Sequence, residues 1–568
     1  MYSELIKKLE PKPLLNLKWY KNEDLYSDGD IEDLIIKLIA EHEPEKYTQV
    51  ILENMCWPTY YHLTHLRKNL LNWYPFEKES SVLEIGCGMG AITNMLCEKC
   101  HDVTAVELSK RRATATLLRC RERENLEIIV GNLNDIQFDK KFDYITLIGV
   151  LEYQGTYTNT DNPYMDFLME IRKFLKPNGK LLVGIENKYG LKYWCGARED
   201  HTGFPFEGMN QYTISNKKVR TFSRKELEEL VMDSGFKNSF FYYPLPDYKL
   251  PTVVYSQKTL PHNESLHNLQ PYYIPDKSTL IASEMEIYKD VIANNVFEFF
   301  ANSFLVECSD DDNLGQVTFS CLGTERKEKY QIATVFTSKG EVEKFPLHEK
   351  EGAAHIWQNV KNRSALEKAG KKVLPMQLLN GKLISQFMHE EVLEDRIMKA
   401  FKRKNKFEVY RIFDKVYQEI LTSSEHVKAE DNIIYTLKID EEVNAEKYGP
   451  ILKNGYIDMI LRNAFYIDGE IHWFDQEWML ECVPAKFIFF RMLVALYQTF
   501  FWVNKVVPVE EVAQKYDLVA PWNEFGLLEN MFSDMVLERA HLIGSEVYRG
   551  QDRKACLTNI QKLLGVQP

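Results

Sequence analysis

A chain of 568 residues exceeds what one hydrophobic core organises, so two or three domains are expected, and 45% hydrophobic residues are ample to bury each. The formal charge of -13 at pH 7 argues against a protein that tracks a phosphate backbone, so no nucleic-acid partner is expected. Ten cysteines in so long a chain make no disulfide framework, and no charged-then-apolar leader precedes the first helical stretch, which points to the reducing cytoplasm.

Residues 1–80 read as a helical cap ending in WPTYYHLTHLRKNLLNWYPF, where apolar residues recur every three or four positions. His62 and His65 lie one turn apart with no third ligand nearby, and are read as structural. From Val82 the pattern alternates between strand and helix: SVLEIG, AITNMLCEKC, DVTAVEL, SKRRATATLLRCRE, LEIIVGN and FDYITLIGVLEY. Such alternation predicts an α/β domain of parallel strands with covering helices. The first strand ends in a glycine turn, Glu84-x-Gly86-x-Gly88-x-Gly90, and the second ends on Glu107, placed to accept both ribose hydroxyls of an adenosyl cofactor. Cys97-Glu-Lys-Cys100-His101 has the letters of a haem attachment site or half a zinc site. It falls inside a predicted helix without a matching second pair, and is set aside.

A third strand ending at Asn132, a fourth ending in GVLEY and a fifth entered through FLKPNGKLLVGIEN complete a pattern that resembles the class I S-adenosylmethionine-dependent methyltransferases, with a Rossmann-like domain over 81–260. The resemblance implies that Glu84, Gly86, Gly88 and Gly90 form the cofactor turn, with Gly86 and Gly88 under its amino-acid part. Glu107 would hold the ribose, and Asn132 with Leu133 would flank the adenine. Asn132 stands where the family often has Asp. The acceptor is expected after the fourth and fifth strands, at Glu152 and Tyr153 and along the insert IENKYGLKYWCGAREDHTGFPFEGMNQY, through Asn187, Lys188, Arg198, Asp200 and His201. The bases of this insert suggest a lid for an anionic acceptor.

Polar residues from Gln257 to Lys277 suggest a linker, set at 261–280, before a second domain over 281–568. Its strand-rich part, about 300–390, comprises NSFLVEC, GQVTFSCL, YQIATVF, GEVEKFPL with Lys344, a helix from Glu349, and the pair VLPMQLLN and KLISQFMHE. Helices follow over about 391–568, and Phe487 to Val503 is too short for a bilayer and is read as a buried helix. Within YIDMILRNAFYIDGEIHWFDQEW, Asp458, Asn463 and Asp475 have the spacing of a phosphotransferase. Such chemistry needs a carboxylate to orient the hydroxyl, here Asp458, and an amide oxygen and second carboxylate to hold Mg2+, here Asn463 and Asp475. Lys344 would contact the ATP phosphates, paired with Glu349 or Glu351. The order of parts is that of an α+β protein-kinase-like fold, although Tyr456-Ile457 replaces His-Arg and Gln476-Glu477 replaces Phe-Gly.

The domain order resembles the bacterial chain-terminating methyltransferase-kinases of O-antigen and capsular polysaccharide synthesis. That resemblance implies a bifunctional enzyme using S-adenosyl-L-methionine, ATP and Mg2+ on a glycan or glycolipid acceptor. It also implies a cytoplasmic protein, with peripheral association at a membrane-bound glycan assembly complex left open. A methyltransferase carrying a pseudokinase that only binds is the alternative. After Gln514 two helices are expected, in place of the long coiled coil of those relatives.

Overall fold

The structure is a computed structural model and describes residues 2–24, 29–215, 218–262, 271–549 and 553–565. Residues 263–270 of the expected linker lie outside the described residues. The chain forms two compact units: Met1–Leu322 with Val335–Lys339 and Arg539–Pro568, and Gly323–Thr334 with Gly340–Glu538.

The first unit is built on a mixed sheet of β1 (Leu14–Asn16), β2 (Ser81–Ile85), β3 (Asp102–Glu107), β4 (Leu126–Val130), β5 (Phe142–Ile148), β6 (Leu175–Glu186), β7 (Asn238–Leu245), β8 (Val253–Ser256), β9 (Ser303–Ser309) and β10 (Val317–Leu322). Their spatial order is β1-β4-β3-β2-β5-β6-β9-β7-β8-β10. From β1 to β6 neighbours run parallel, while β9 is antiparallel to both β6 and β7. Parallel strands are covered on both faces, which is why SVLEI and FDYITLI read as nearly unbroken apolar runs. Leu83, Ile145, Leu147, Leu181, Val183, Phe241 and Phe304 fill one core. A second cluster joins Ile35, Ile39, Val50, Ile51 and Tyr60 of the N-terminal helices to Leu118, Tyr273 and Tyr548.

Chain order reverses at β2, which pairs with β3 on one side and β5 on the other. The crevice beyond the carboxyl ends of β2 and β5 is therefore the switch point at which doubly wound sheets bind ligands.

Three expectations are corrected. The cap over 1–80 is not wholly helical, because Leu14–Asn16 pairs with β4 at the sheet edge. NSFLVEC and GQVTFSCL do not open the second domain: as β9 and β10 they pair with β6, β7 and β8, so the first unit runs on to Leu322 and not to 260. These strands are buried along most of their length, and strand pattern carries no label of which sheet a strand will join. Three helices follow Gln514 instead of two, Trp522–Val536, Arg539–Tyr548 and Arg553–Leu563, and the last two belong to the first unit.

In the second unit Glu341–Pro346 pairs antiparallel with Lys382–Gln386, which pairs in turn with Gln377–Leu379. Asn380 and Gly381 at that last turn have φ of 49° and 76°, the left-handed pair that a two-residue hairpin favours. The helix Glu349–Lys368 lies between these strands in sequence. The hairpin of Ala464–Ile467 and Glu470–Trp473 follows Ile451–Tyr456, which sits between His426–Val427 and Met479–Pro484 in a three-stranded sheet. Phe487 to Val503 enters the buried helix Ala485–Thr499, whose Phe487, Ile488, Phe489 and Leu493 are fully buried against Phe401 and Phe413. Among the described residues no helix is long and apolar enough to cross a membrane.

Candidate active site

A cavity of about 660 Å³ opens at the switch point of the first unit. Its floor is the glycine turn after β2, where Gly86 and Gly88 take φ of 77° and 57°. At Gly86 a Cβ would meet Val150 Cγ2 at 2.4 Å, whereas at Gly88 it would project into open space. The turn thus leaves a bare backbone shelf facing the cavity. Glu107 at the end of β3 fixes it: Oε2 accepts from Gly88 N at 2.8 Å and Oε1 from Ser109 N at 3.0 Å. Burial raises the Glu107 carboxyl, opposed by Arg112 and by those backbone donors. A carboxylate has about four lone-pair sites, so both oxygens can still accept ribose hydroxyls.

Glu84 is 5% exposed, its Oε2 has no hydrogen-bond partner, and burial pushes its carboxyl up to about 7, with Glu107 adding to the rise and Thr93 and Arg67 opposing it. An orphaned buried carboxylate beside a bare backbone shelf fits the ammonium of a methionine moiety. Gly90 lies behind the turn, against Thr116. Asn132 and Leu133 line the cavity after β4, where Asn132 Oδ1 accepts from Asn134 N at 3.1 Å and keeps one lone pair for an exocyclic amine. Affinity for an ammonium-bearing ligand should rise roughly tenfold from pH 6 to 7.5, as Glu84 ionises, and Glu84→Gln should flatten that dependence. Calorimetric titration across this range with S-adenosylhomocysteine, which carries the same ammonium, checks it.

The far side of the cavity is polar and mostly acidic. Glu152 after β5, Glu186 at the end of β6, Glu199, Asp200, His201, Tyr248 and Lys249 line it. His201 Nδ1 lies 2.8 Å from Glu199 Oε1, and its Nε2 lies 3.4 Å from Glu152 Oε1 and 3.9 Å from Glu186 Oε2. Burial opposes a charge on His201, yet Glu186, Glu152 and Glu199 outweigh it and hold the imidazole well above its ordinary value. The Tyr153 ring meets His201 edge-on, with centroids 5.2 Å apart.

The structure gathers Glu152, Tyr153, Arg198, Asp200 and His201 around the cavity, but not Asn187 or Lys188. Asn187 Nδ2 donates to the carbonyls of Phe299 and Ala301, and Lys188 is buried against Glu226 at 2.7 Å. The lid of free bases is also corrected. Lys192 is fully buried between Asp247 and Asp200 at 2.8 and 2.9 Å, and Arg198 is paired with Asp276 at 2.8 Å. Each base has an internal counter-charge that neither composition nor spacing reveals. Glu186, Glu199, Tyr248 and Lys249 were missed; the one signal for Glu186 was a carboxylate ending the long apolar strand LLVGIE. His62 lines the cavity near the cofactor turn, edge-on to Tyr61, and Cys97 and Cys100 are buried thiols.

In the second unit, Lys344 on Glu341–Pro346 bonds the carboxylate of Asp475 and lies 3.8 Å from Glu477. Asp475 holds a φ of 55°. Asp458 Oδ2 accepts from Glu477 N and Trp478 N, each at 2.9 Å, and its Oδ1 is 3.5 Å from Arg491. Burial pushes the Asp458 carboxyl up to about 7, against Arg491. Asn463 Nδ2 donates to Asp458 O at 3.2 Å, which joins the two ends of the loop. Lys344 is not paired by Glu349 or Glu351, both of which are exposed. The helix presents His355 and Asn362 instead: His355 Nε2 is 3.2 Å from Glu477, and Asn362 donates to the carbonyls of Gln476 and Glu477. Arg326 also pairs with Glu477, at 2.5 Å.

Residues 83–183 match a family described as a methyltransferase domain. Over 163 residues the chain is 25% identical to a ubiquinone biosynthesis O-methyltransferase of Rickettsia akari, covering 27% of this chain and 62% of that protein. Over 115 residues it is 42% identical to an uncharacterized methyltransferase of Staphylococcus carnosus, covering 20% of this chain and 51% of that protein. The chain thus spans little more than half the length of these curated relatives. Among solved structures, a Thermotoga maritima SAM-dependent methyltransferase, described as a possible histamine N-methyltransferase, aligns at a TM-score of 0.27 and 18% identity, over 48% of this chain and 100% of that chain. The glycine turn and Glu107 both fall within the stretch, residues 83–183, that matches the methyltransferase domain family.

Proposed function

We propose that the protein transfers a methyl group from S-adenosylmethionine to a hydroxyl of a glycan end, and that its second unit is a phosphotransferase acting on the same class of acceptor. The observation carrying the first part is the shelf of Gly86 and Gly88, clamped by Glu107 and flanked by the unpartnered carboxylate of Glu84. The donor supplies an electrophilic methyl on a sulfonium, so what remains for the protein is alignment of the acceptor. Glu84 binds the ammonium, Glu107 the ribose, and Asn132 and Leu133 the base, while Glu152, Tyr153 and His201 position the acceptor oxygen. Five of the matched relatives carry O-methyltransferase names, which supports an oxygen acceptor.

The phosphotransferase part rests on the convergence of Lys344, Asp458, Asn463 and Asp475 within one unit. ATP would supply the phosphoryl group; Lys344 would bind its phosphates, Asn463 and Asp475 would hold Mg2+, and Asp458 would orient the hydroxyl. Mass spectrometry of a purified surface glycan incubated with both cofactors tests the whole: addition of one methyl and one phosphate is expected. Addition of the methyl alone would reduce the second unit to a binding platform, and addition of neither would remove the glycan from the proposal. Glu107→Ala should cut donor affinity by at least tenfold, read by calorimetry, without altering phosphate incorporation.

A further inference from the structure

The acidic end of the first unit's cavity contains a group that donor binding does not use. One ligand atom each from Glu152, Glu186 and His201 lies within 4.8 Å of the others. Their residues come from three separate segments: the turn after β5, the end of β6 and the insert that follows it. Glu152 and Glu186 are 1% and 0% exposed, and the Oε2 of each is buried without a hydrogen-bond partner. A buried carboxylate oxygen left unpaired costs free energy, and two such carboxylates beside one imidazole are hard to account for as packing alone.

His201 supplies the second argument. Its Nδ1 is held by Glu199 Oε1 at 2.8 Å, while its Nε2 is turned towards Glu152 and Glu186. Glu199 is itself fixed, because its Oε2 accepts from the backbone N of His201 and Thr202 at 2.9 and 2.8 Å. A carboxylate that fixes one ring nitrogen and aims the other is how histidine ligands are set up for metals. Glu186 Oε1 is occupied by Lys249 and by Tyr248 Oη, which leaves its Oε2 for the cluster.

We propose that Glu152, Glu186 and His201 bind a divalent cation, with Glu199 as the positioning residue. One nitrogen and two carboxylates suit Mn2+, Fe2+ or Zn2+ better than Ca2+, which prefers all-oxygen shells. Three protein ligands leave positions open for an acceptor oxygen within the cavity that Gly86 and Glu107 also line. That role rests on the methyl-transfer reading; the cation site stands on the cluster alone.

The test uses the full chain carrying Asp475→Asn and Asn463→Ala, so that the second unit's expected ligands are removed, stripped of metal with chelator and titrated with Mn2+ while free Mn2+ is followed by electron paramagnetic resonance. One bound Mn2+ per chain is expected, with Glu152→Gln, Glu186→Gln and His201→Ala each weakening it at least tenfold and Glu199→Gln weakening it several-fold. Thermal melting is the second readout: Mn2+ should raise the melting temperature of the parent and leave that of Glu152→Gln unmoved. No saturable Mn2+ or Zn2+ binding by the parent, or binding that survives Glu152→Gln and Glu186→Gln, would overturn the proposal. Mn2+ binding without S-adenosylmethionine binding would uphold it while sinking the methyl-transfer reading, and donor binding without Mn2+ would do the reverse.

Discussion

Gly86→Ala is expected to weaken S-adenosylmethionine binding on the order of a hundredfold, and Val150→Ala in the same chain should recover most of that loss. Two effects add at this position. The left-handed φ of 77° costs an L-residue roughly 1–2 kcal/mol, and the new Cβ would stand 2.4 Å from Val150 Cγ2. Val150 begins the turn after β5, so moving it aside disturbs the wall next to Glu152 as well as the shelf. Removing its Cγ atoms relieves the clash but not the backbone strain, so the double variant should remain weaker than the parent by about tenfold. Calorimetric titration of the three variants checks this. A double variant no better than Gly86→Ala would show that the close approach to Val150 does not govern the shelf. Gly88→Ala, by contrast, places its Cβ in open space, so beyond the backbone strain of its own left-handed φ of 57° any loss there reports collision with the ligand and not with a protein side chain.

The second large effect is expected at Asp475. Asp475→Asn should lower phosphate transfer from ATP by roughly three orders of magnitude while leaving methyl-donor binding unchanged. The side chain keeps its size and can still accept from Lys344, so folding is little disturbed. What is lost is the charge that would hold a divalent ion, beside a Glu477 committed to Arg326 and His355. Exposed Glu349→Ala and Glu351→Ala should change nothing, because neither touches Lys344. Radiolabelled ATP measures all three. Wild-type incorporation with no loss in Asp475→Asn would remove this residue from the ion site, and absence of incorporation in the wild type would leave the unit a binding module.

How much was legible in the sequence follows a physical line. Glycines after a strand and an acid at the next strand tip are local signals, and in the structure Gly88 N donates to Glu107 Oε2 at 2.8 Å. The Asp458–Asn463 loop and Asp475 were equally local, lying on either side of one hairpin. Glu186 was not, because its meaning comes from His201 and Glu152, which reach it only once β5 and β6 lie side by side; Glu199 bonds His201 from only two residues away, and nothing in that spacing marks it. The insert misled in the opposite sense. Lys188, Lys192 and Arg198 look like free bases in a string of letters, and each is cancelled by an acid remote in sequence: Glu226, Asp247 and Asp276. Strand membership was hidden for the same reason, since β9 must cross more than a hundred residues to pair with β6.

The C-terminal helices of the first unit carry a consequence for how the protein is made. Ile274 N donates to Tyr548 O, Asn559 Nδ2 donates to the carbonyls of Lys277 and Leu280, and the Tyr548 ring packs 5.2 Å from Trp57 and 5.3 Å from Tyr60. The ribosome therefore delivers the glycine turn, then some 200 residues of the second unit, and only afterwards the helices that close over the N-terminal aromatics. Nascent chains stalled before residue 539 would expose that aromatic cluster, and a fragment cut at the family-matched stretch would lack both its far edge strands and its closing helices.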